Sequence, residues 1–138
     1  EIDGTPEECM AVLVDFEAYP RWSGPLTDAK ILERDAAGRG RTVEFKLDMK
    51  LREIRYVLQY EYDPPRGATW HSVDGDVSSV TGRYQFEDLG KGRTRATCNQ
   101  TIDLGFWVPG PIRRLAERQA LRDSVTEFKT EVERRRKQ

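Results

Sequence analysis

The residues able to do chemistry lie on one strand-like stretch, on a set of tyrosines and at the start of one helix. Gln100 interrupts an inward apolar alternation of Ala96, Cys98, Ile102 and Leu104. A buried amide left without a partner costs ~1–3 kcal/mol, so Gln100 must find one. Tyr84 or a neighbouring tyrosine is the ordinary choice, and a bound ligand is the alternative. Tyr56, Tyr60 and Tyr84 each carry a polar tip on an apolar body, which suits the wall of a ligand pocket. Arg114 and Arg118 project, at about 100° per residue, into the sector of Leu121, Val125 and Phe128. The apolar stripe of that helix thus turns basic at its N-terminal end. Arg113 and Arg114 sit in the first turn, where the helix dipole disfavours cations by ~0.3–1 kcal/mol. An acidic head group or a nearby carboxylate would account for them; an exposed Arg113–Glu117 pair is the alternative.

Other reactive side chains point away from catalysis. His71 is the only histidine. It has opposite parity to Trp70, belongs on the outer face, and has no Ser or Cys placed beside it. Cys9 and Cys98 form neither a metal-ligand spacing nor a redox pair and read as buried thiols in a reducing compartment. No motif for nucleophilic catalysis, metal binding or phosphate cradling is present. The chemistry legible here is binding, with no catalytic residue, metal or cofactor.

Length and charge set the bounds. The 138 residues fit a single domain, residues 1–138, large enough to hold a core. Charged residues make up 34% yet the net charge is −1, so no global field favours nucleic acid or a membrane surface. No apolar run approaches the ~18 residues of a membrane span, and no signal-peptide pattern occurs. A cytoplasmic location is expected. The chain opens on Glu1-Ile2-Asp3, which reads as the tail of a strand, so a first strand is expected to be truncated.

The elements that position these residues follow from periodicity. Thr5-Pro6-Glu7-Glu8 is a helix start with a capping box, and Cys9, Val12, Leu13 and Phe16 mark one face. Pro20 should end this segment, with Tyr19 and Trp22 flanking it. The period then changes from helix to strand. Strands are expected at 28–34, at 42–50 (Val43, Phe45, Leu47 and Met49 inward) and at 54–62 (Ile54, Tyr56, Leu58, Tyr60 and Tyr62 inward), with a turn near Leu51-Arg52. Further strands are expected at 68–74 around Trp70, at 80–86 (Val80, Gly82, Tyr84 and Phe86 inward) and at 94–104. Leu121, Val125, Phe128 and Val132 repeat at helical spacing, so residues 111–136 form a rod about 39 Å long. The basic end Arg134-Arg135-Arg136-Lys137 reads as a solvated, frayed terminus. The result is an α+β fold: a curved antiparallel sheet of six to seven strands, one face covered by the long helix.

The chain resembles the START-like polyketide cyclase/dehydrase superfamily, the helix-grip fold shared with plant pollen allergens. Three places carry the likeness: Asp15, Glu17, Tyr19, Pro20 and Trp22 after the opening helix; Trp70 followed by Gly82-Arg83-Tyr84-Gln85-Phe86 and by Gly92 and Thr94; and Pro109-Gly110-Pro111 leading into Phe128-Lys129, Glu131 and Glu133. The resemblance implies a hydrophobic cavity between sheet and last helix. It leaves function open, because members include lipid and sterol carriers, coenzyme Q-binding proteins, ribosome-association toxins and aromatase/cyclases.

The expected ligand wall is Phe45, Leu47, Tyr56, Tyr60, Trp70, Tyr84, Phe86, Cys98 and Gln100 on the sheet, with Arg114, Arg118, Leu121, Val125 and Phe128 on the helix. Filling of the core by the same side chains is the alternative. The leading reading is a carrier or sensor of an apolar small molecule such as a lipid, isoprenoid or polyketide. An aromatase/cyclase-like enzyme ranks second, weakened by the lack of a strong base among the inward residues. A protein- or ribosome-binding module ranks third, because its basic surface is not evident.

Overall fold

The computed structural model describes residues 1–24, 26–48, 53–76, 79–103 and 110–137, with side chains of the last segment from residue 121 onward. Helix α1 (Pro6–Val14) starts as expected. The Thr5 hydroxyl accepts from the Glu8 amide at 3.1 Å, and the Thr5 amide donates to the Glu8 carboxylate at 2.9 Å. Cys9, Met10, Val12 and Leu13 are its buried apolar side chains beyond Pro6. Pro20 does not end the segment. A 3-10 turn (Phe16–Ala18) leads into a short helix α2 (Tyr19–Trp22), and Pro20 stands in its first turn, where a missing N–H costs nothing.

Six strands follow as an antiparallel meander in sequence order: β1 (Leu26–Arg34), β2 (Gly40–Asp48), β3 (Glu53–Asp63), β4 (Gly67–Gly75), β5 (Ser79–Gly90) and β6 (Arg93–Asp103). Alternation places Val43, Phe45, Ile54, Leu58, Tyr60, Ala68, Trp70, Val80, Tyr84 and Phe86 in the core. His71 is exposed, on the outer face. Cys9 is buried, Cys98 is half-buried, and both are free thiols. The strand ends expected at Met49-Lys50 and Leu104, and the turn at Leu51-Arg52, lie outside the described residues. Ile2 forms an antiparallel bridge with Thr94, exchanging backbone hydrogen bonds of 2.7 and 3.0 Å.

Helix α3 (Gly110–Arg136) is the long rod. Phe128 and Val132 are buried to 2% and 1% exposure. Val132 lies so close to Gly4 that a Cβ there would come within 2.8 Å of it. The basic end is not a frayed terminus. Arg136 donates to the Gly92 carbonyl at 2.9 Å and to the Asp3 carboxylate at 3.0 Å, and Arg135 pairs with Asp15 at 3.1 Å. Glu133 accepts from the Asp3 amide at 2.9 Å. Glu127 reaches the Gly24 amide. These bonds bolt the C-terminal half of α3 to the first residues, to the α1 exit and to the β5–β6 turn. Sequence periodicity reports the helix but not partners so distant along the chain.

At the centre of this clamp lies Glu131, only 5% exposed. Its carboxylate accepts two bonds from Arg134, both 2.8 Å, and one from Arg135 at 2.7 Å. The Arg134 hydrogen bonds, reinforced by those of Arg135 and opposed by desolvation, lower its carboxyl from 4.5 to about 2. A carboxyl held low in the fold stabilises it above the unfolded value, and that stability is lost as pH falls through the folded one. Glu131→Gln should therefore lower stability by about 2 kcal/mol at pH 7, discounted for the exposure of Arg134. In urea melts the gap between wild type and variant should close between pH 4.5 and about 2. A gap that stays constant across that window would show that the carboxylate is not what Arg134 and Arg135 grip.

Candidate functional site

Four residues face one another across β3, β4, β5 and β6: Tyr60, Trp70, Gly82 and Gln100. The Trp70 indole lies across Gly82, where an added Cβ would come within 2.6 Å of the ring. Only a residue without a side chain leaves that path open. The indole thus spans β5, and its Nε1–H donates to Gln100 Oε1 at 3.0 Å. The partner expected for Gln100 was a tyrosine; it is Trp70, because the glycine lets the ring reach a strand two away. Gln100 is also exposed rather than buried. Among the described residues its amide NH₂ makes no hydrogen bond.

The inner aromatics form a continuous wall. Phe45 stacks on Tyr56 at 5.3 Å, Tyr60 meets Trp70 at 5.6 Å, and Trp70 meets Tyr84 at 6.2 Å. Tyr84 and Phe86 both pack on Phe128 of α3, at 4.8 and 5.9 Å. Rings that the sequence reading left outside the wall complete it. Phe16 lies 4.8 Å from Tyr60, Tyr19 lies 6.0 Å from Phe45, and Trp22 lies 6.2 Å from Phe128. The density of aromatics over residues 16–22 was the available signal.

Exposure varies along this wall. On α3 it rises from Val132 and Phe128, both buried, to Val125 and Leu121, both half-buried. On β6 Thr94 is 0% exposed, Ala96 and Cys98 are half-buried, Gln100 is exposed, and Ile102 beyond it is again half-buried against the core. Arg136 at the Gly92 carbonyl sets the C-terminal end of α3 beside the start of β6, so the buried ends of helix and strand coincide. Phe45, Tyr60, Trp70, Tyr84, Phe86 and Phe128 are buried in the wall; Leu47, Tyr56, Cys98, Leu121 and Val125 are half-buried. The side chains of Arg114 and Arg118 lie outside the described residues.

The wall's polar atoms are held neutral. Burial pushes the hydroxyls of Tyr19, Tyr56, Tyr60 and Tyr84 well above the usual phenol range. Burial also raises the Cys98 thiol to about 11. Tyr19 donates to the Leu13 carbonyl. The Tyr84 hydroxyl is buried without a hydrogen-bond partner. At neutral pH this wall offers donors on an apolar surface. Among the described residues no group of His, Cys, Asp or Glu is placed to hold a metal ion, and no helix is long and apolar enough to cross a membrane.

A family model described as polyketide cyclase/dehydrase and lipid transport matches residues 2–129. No curated protein matches the chain significantly. Among solved structures, a START superfamily protein from Mycobacterium smegmatis superposes with TM-score 0.87 at 20% identity, over 96% of this chain and 92% of that one. The Zhui aromatase/cyclase from Streptomyces sp. R1128 superposes with TM-score 0.76 at 20% identity, over 97% and 90%. The di-domain aromatase/cyclase StfQ of the steffimycin biosynthetic pathway gives 0.75 at 15%, over 99% of this chain and 44% of that one. At these identities the likeness establishes the helix-grip fold.

The Trp70 bridge is testable. Gly82→Ala should displace the indole, break its bond to Gln100 and cost about 1–3 kcal/mol. Trp70→Phe, measured in the same background, should remove most of that penalty. Equal penalties in the two backgrounds would show that Gly82 is required for some other reason.

Proposed function

The chain belongs to the polyketide cyclase/dehydrase and lipid transport family, and from that premise we propose that it binds and carries an apolar small molecule in a cavity between the sheet and α3. The observation that supports this reading is that apolar side chains stay half-buried on both elements, Ala96, Cys98 and Ile102 on β6 and Leu121 and Val125 on α3. A greasy ligand covering them would gain ~25 cal/mol per Å² of apolar area buried. Tyr56 and the amide of Gln100 would orient one acceptor oxygen of the ligand. Arg114 and Arg118 would stand at the mouth and meet an acidic head group.

Carriage fits the wall better than enolate chemistry does. A cyclase working by proton abstraction needs a base within hydrogen-bond reach of the substrate. The described wall residues supply tyrosines kept protonated by burial and a Cys98 thiol raised to about 11. These groups donate and do not abstract protons at neutral pH.

Native mass spectrometry of the purified protein, followed by denaturation, should release a lipid- or polyketide-sized molecule. Val125→Trp, which would fill the proposed cavity from the helix side, should keep the native circular dichroism spectrum and weaken binding of a fluorescent fatty acid at least ~10-fold. Protein that purifies empty and binds no apolar probe would overturn the reading; an empty protein that turns over a polyketide thioester would replace it with the cyclase. Arg114→Ala combined with Arg118→Ala should weaken an acidic lipid several-fold and leave its methyl ester unaffected. Equal binding of the acid by wild type and double variant would remove those arginines from the site.

A further inference from the structure

Between α2 and the C-terminal turns of α3 lies a hollow of about 500 Å³. That volume is within the ~300–1,000 Å³ of small-molecule sites. Its wall carries three guanidinium groups, those of Arg21, Arg134 and Arg135, against two carboxylates, those of Asp15 and Glu131.

Both carboxylates are already served. Glu131 accepts two N–H groups from Arg134 and one from Arg135. Asp15 lies 3.1 Å from the same Arg135. Consecutive side chains on a helix diverge by about 100°, yet Glu131, one turn earlier, gathers Arg134 and Arg135 to one place. Arg21 is then surplus. It makes no ion pair or hydrogen bond with a described residue. The positive charge left over in this wall is its own.

A second group in the wall is also unmet. Trp22, next to Arg21, carries an indole N–H that is buried and has no acceptor. Its ring is packed against Tyr19 at 4.8 Å and Phe128 at 6.2 Å. A buried donor without a partner costs ~1–3 kcal/mol. Both unmet groups are thus donors on α2, and one positive charge is uncompensated. A metal ion or an ammonium group would find the two carboxylates engaged and Arg21 repelling it. Water would supply acceptors without charge. An oxyanion supplies acceptor oxygens and the missing negative charge together, and a guanidinium fork grips a carboxylate with two parallel bonds. The hollow is larger than a bare ion, and the Trp22 ring offers apolar surface to an organic body.

We propose that this hollow is a binding site for a small organic monocarboxylate, separate from the interior between sheet and α3. The carboxylate meets Arg21, and the organic body lies on Trp22.

The test is an NMR titration with benzoate, and with benzamide as its neutral counterpart, followed at the Trp22 indole N–H and the Arg21 Nε–H. Benzoate should shift both resonances saturably. Benzamide should bind at least about five-fold more weakly, and so should benzoate to Arg21→Gln. Arg21 is exposed and outside the Glu131 clamp, so this variant should keep the wild-type melting temperature and the binding of a fatty-acid methyl ester. Shifts that do not saturate at tens of millimolar, benzamide that binds as well as benzoate, undiminished binding to Arg21→Gln, or shifts centred on Tyr84 and Val125 would each overturn the proposal. None of those outcomes bears on carriage between sheet and α3.

Discussion

Phe128 and Val132, pressed into the core beside Glu131, hold one half of a long helix against the sheet. The rest of the architecture depends on this attachment. Apolar burial sets where the helix sits. The arginine bonds at its end, to Asp3, Asp15 and the Gly92 carbonyl, set how far along and at what roll it lies.

The sheet supplies the apolar face on which Phe128 packs. A meander of six antiparallel strands alternates cleanly, so one face gathers nearly all the aromatic rings. Edge-on and stacked contacts between rings, at centroid distances of 4.8 to 6.2 Å, make that face stiff as well as apolar. The tyrosines keep their protons because ionisation in such surroundings is expensive. Stiffness and neutrality together suit a surface that holds a greasy molecule in place.

The outer face has a different character. Its strands present charges and neutral hydrogen-bonding groups in rows fixed by register, and most of its charges are matched in short-range pairs. Such pairs contribute little to stability, typically below ~1 kcal/mol each. One polypeptide layer thus separates an apolar interior face from a polar exterior one.

Much of this was legible in the residues alone. Period-2 alternation located the strands and assigned Phe45, Tyr60, Trp70, Tyr84 and Phe86 to one face, and helical spacing found Phe128 and Val132. These are local properties, written in neighbouring side chains and in the turn chemistry between them. The capping box at Thr5 and Glu8 is local as well. The partner of Gln100 could not be read this way. It depends on an empty position, Gly82, beneath a ring from another strand. The anchoring of Arg134, Arg135 and Arg136 could not be read either, since Asp3, Asp15 and Gly92 are remote in sequence. Nor could the short helix built around Pro20, where packing of Tyr19 against Phe16 and Phe45 overrides the usual punctuation. Sequence determined which side chains face the interior. Only the tertiary structure decided how tightly each is sealed there, because exposure depends on the distance between helix and sheet, and long-range contacts at one helix end set that distance.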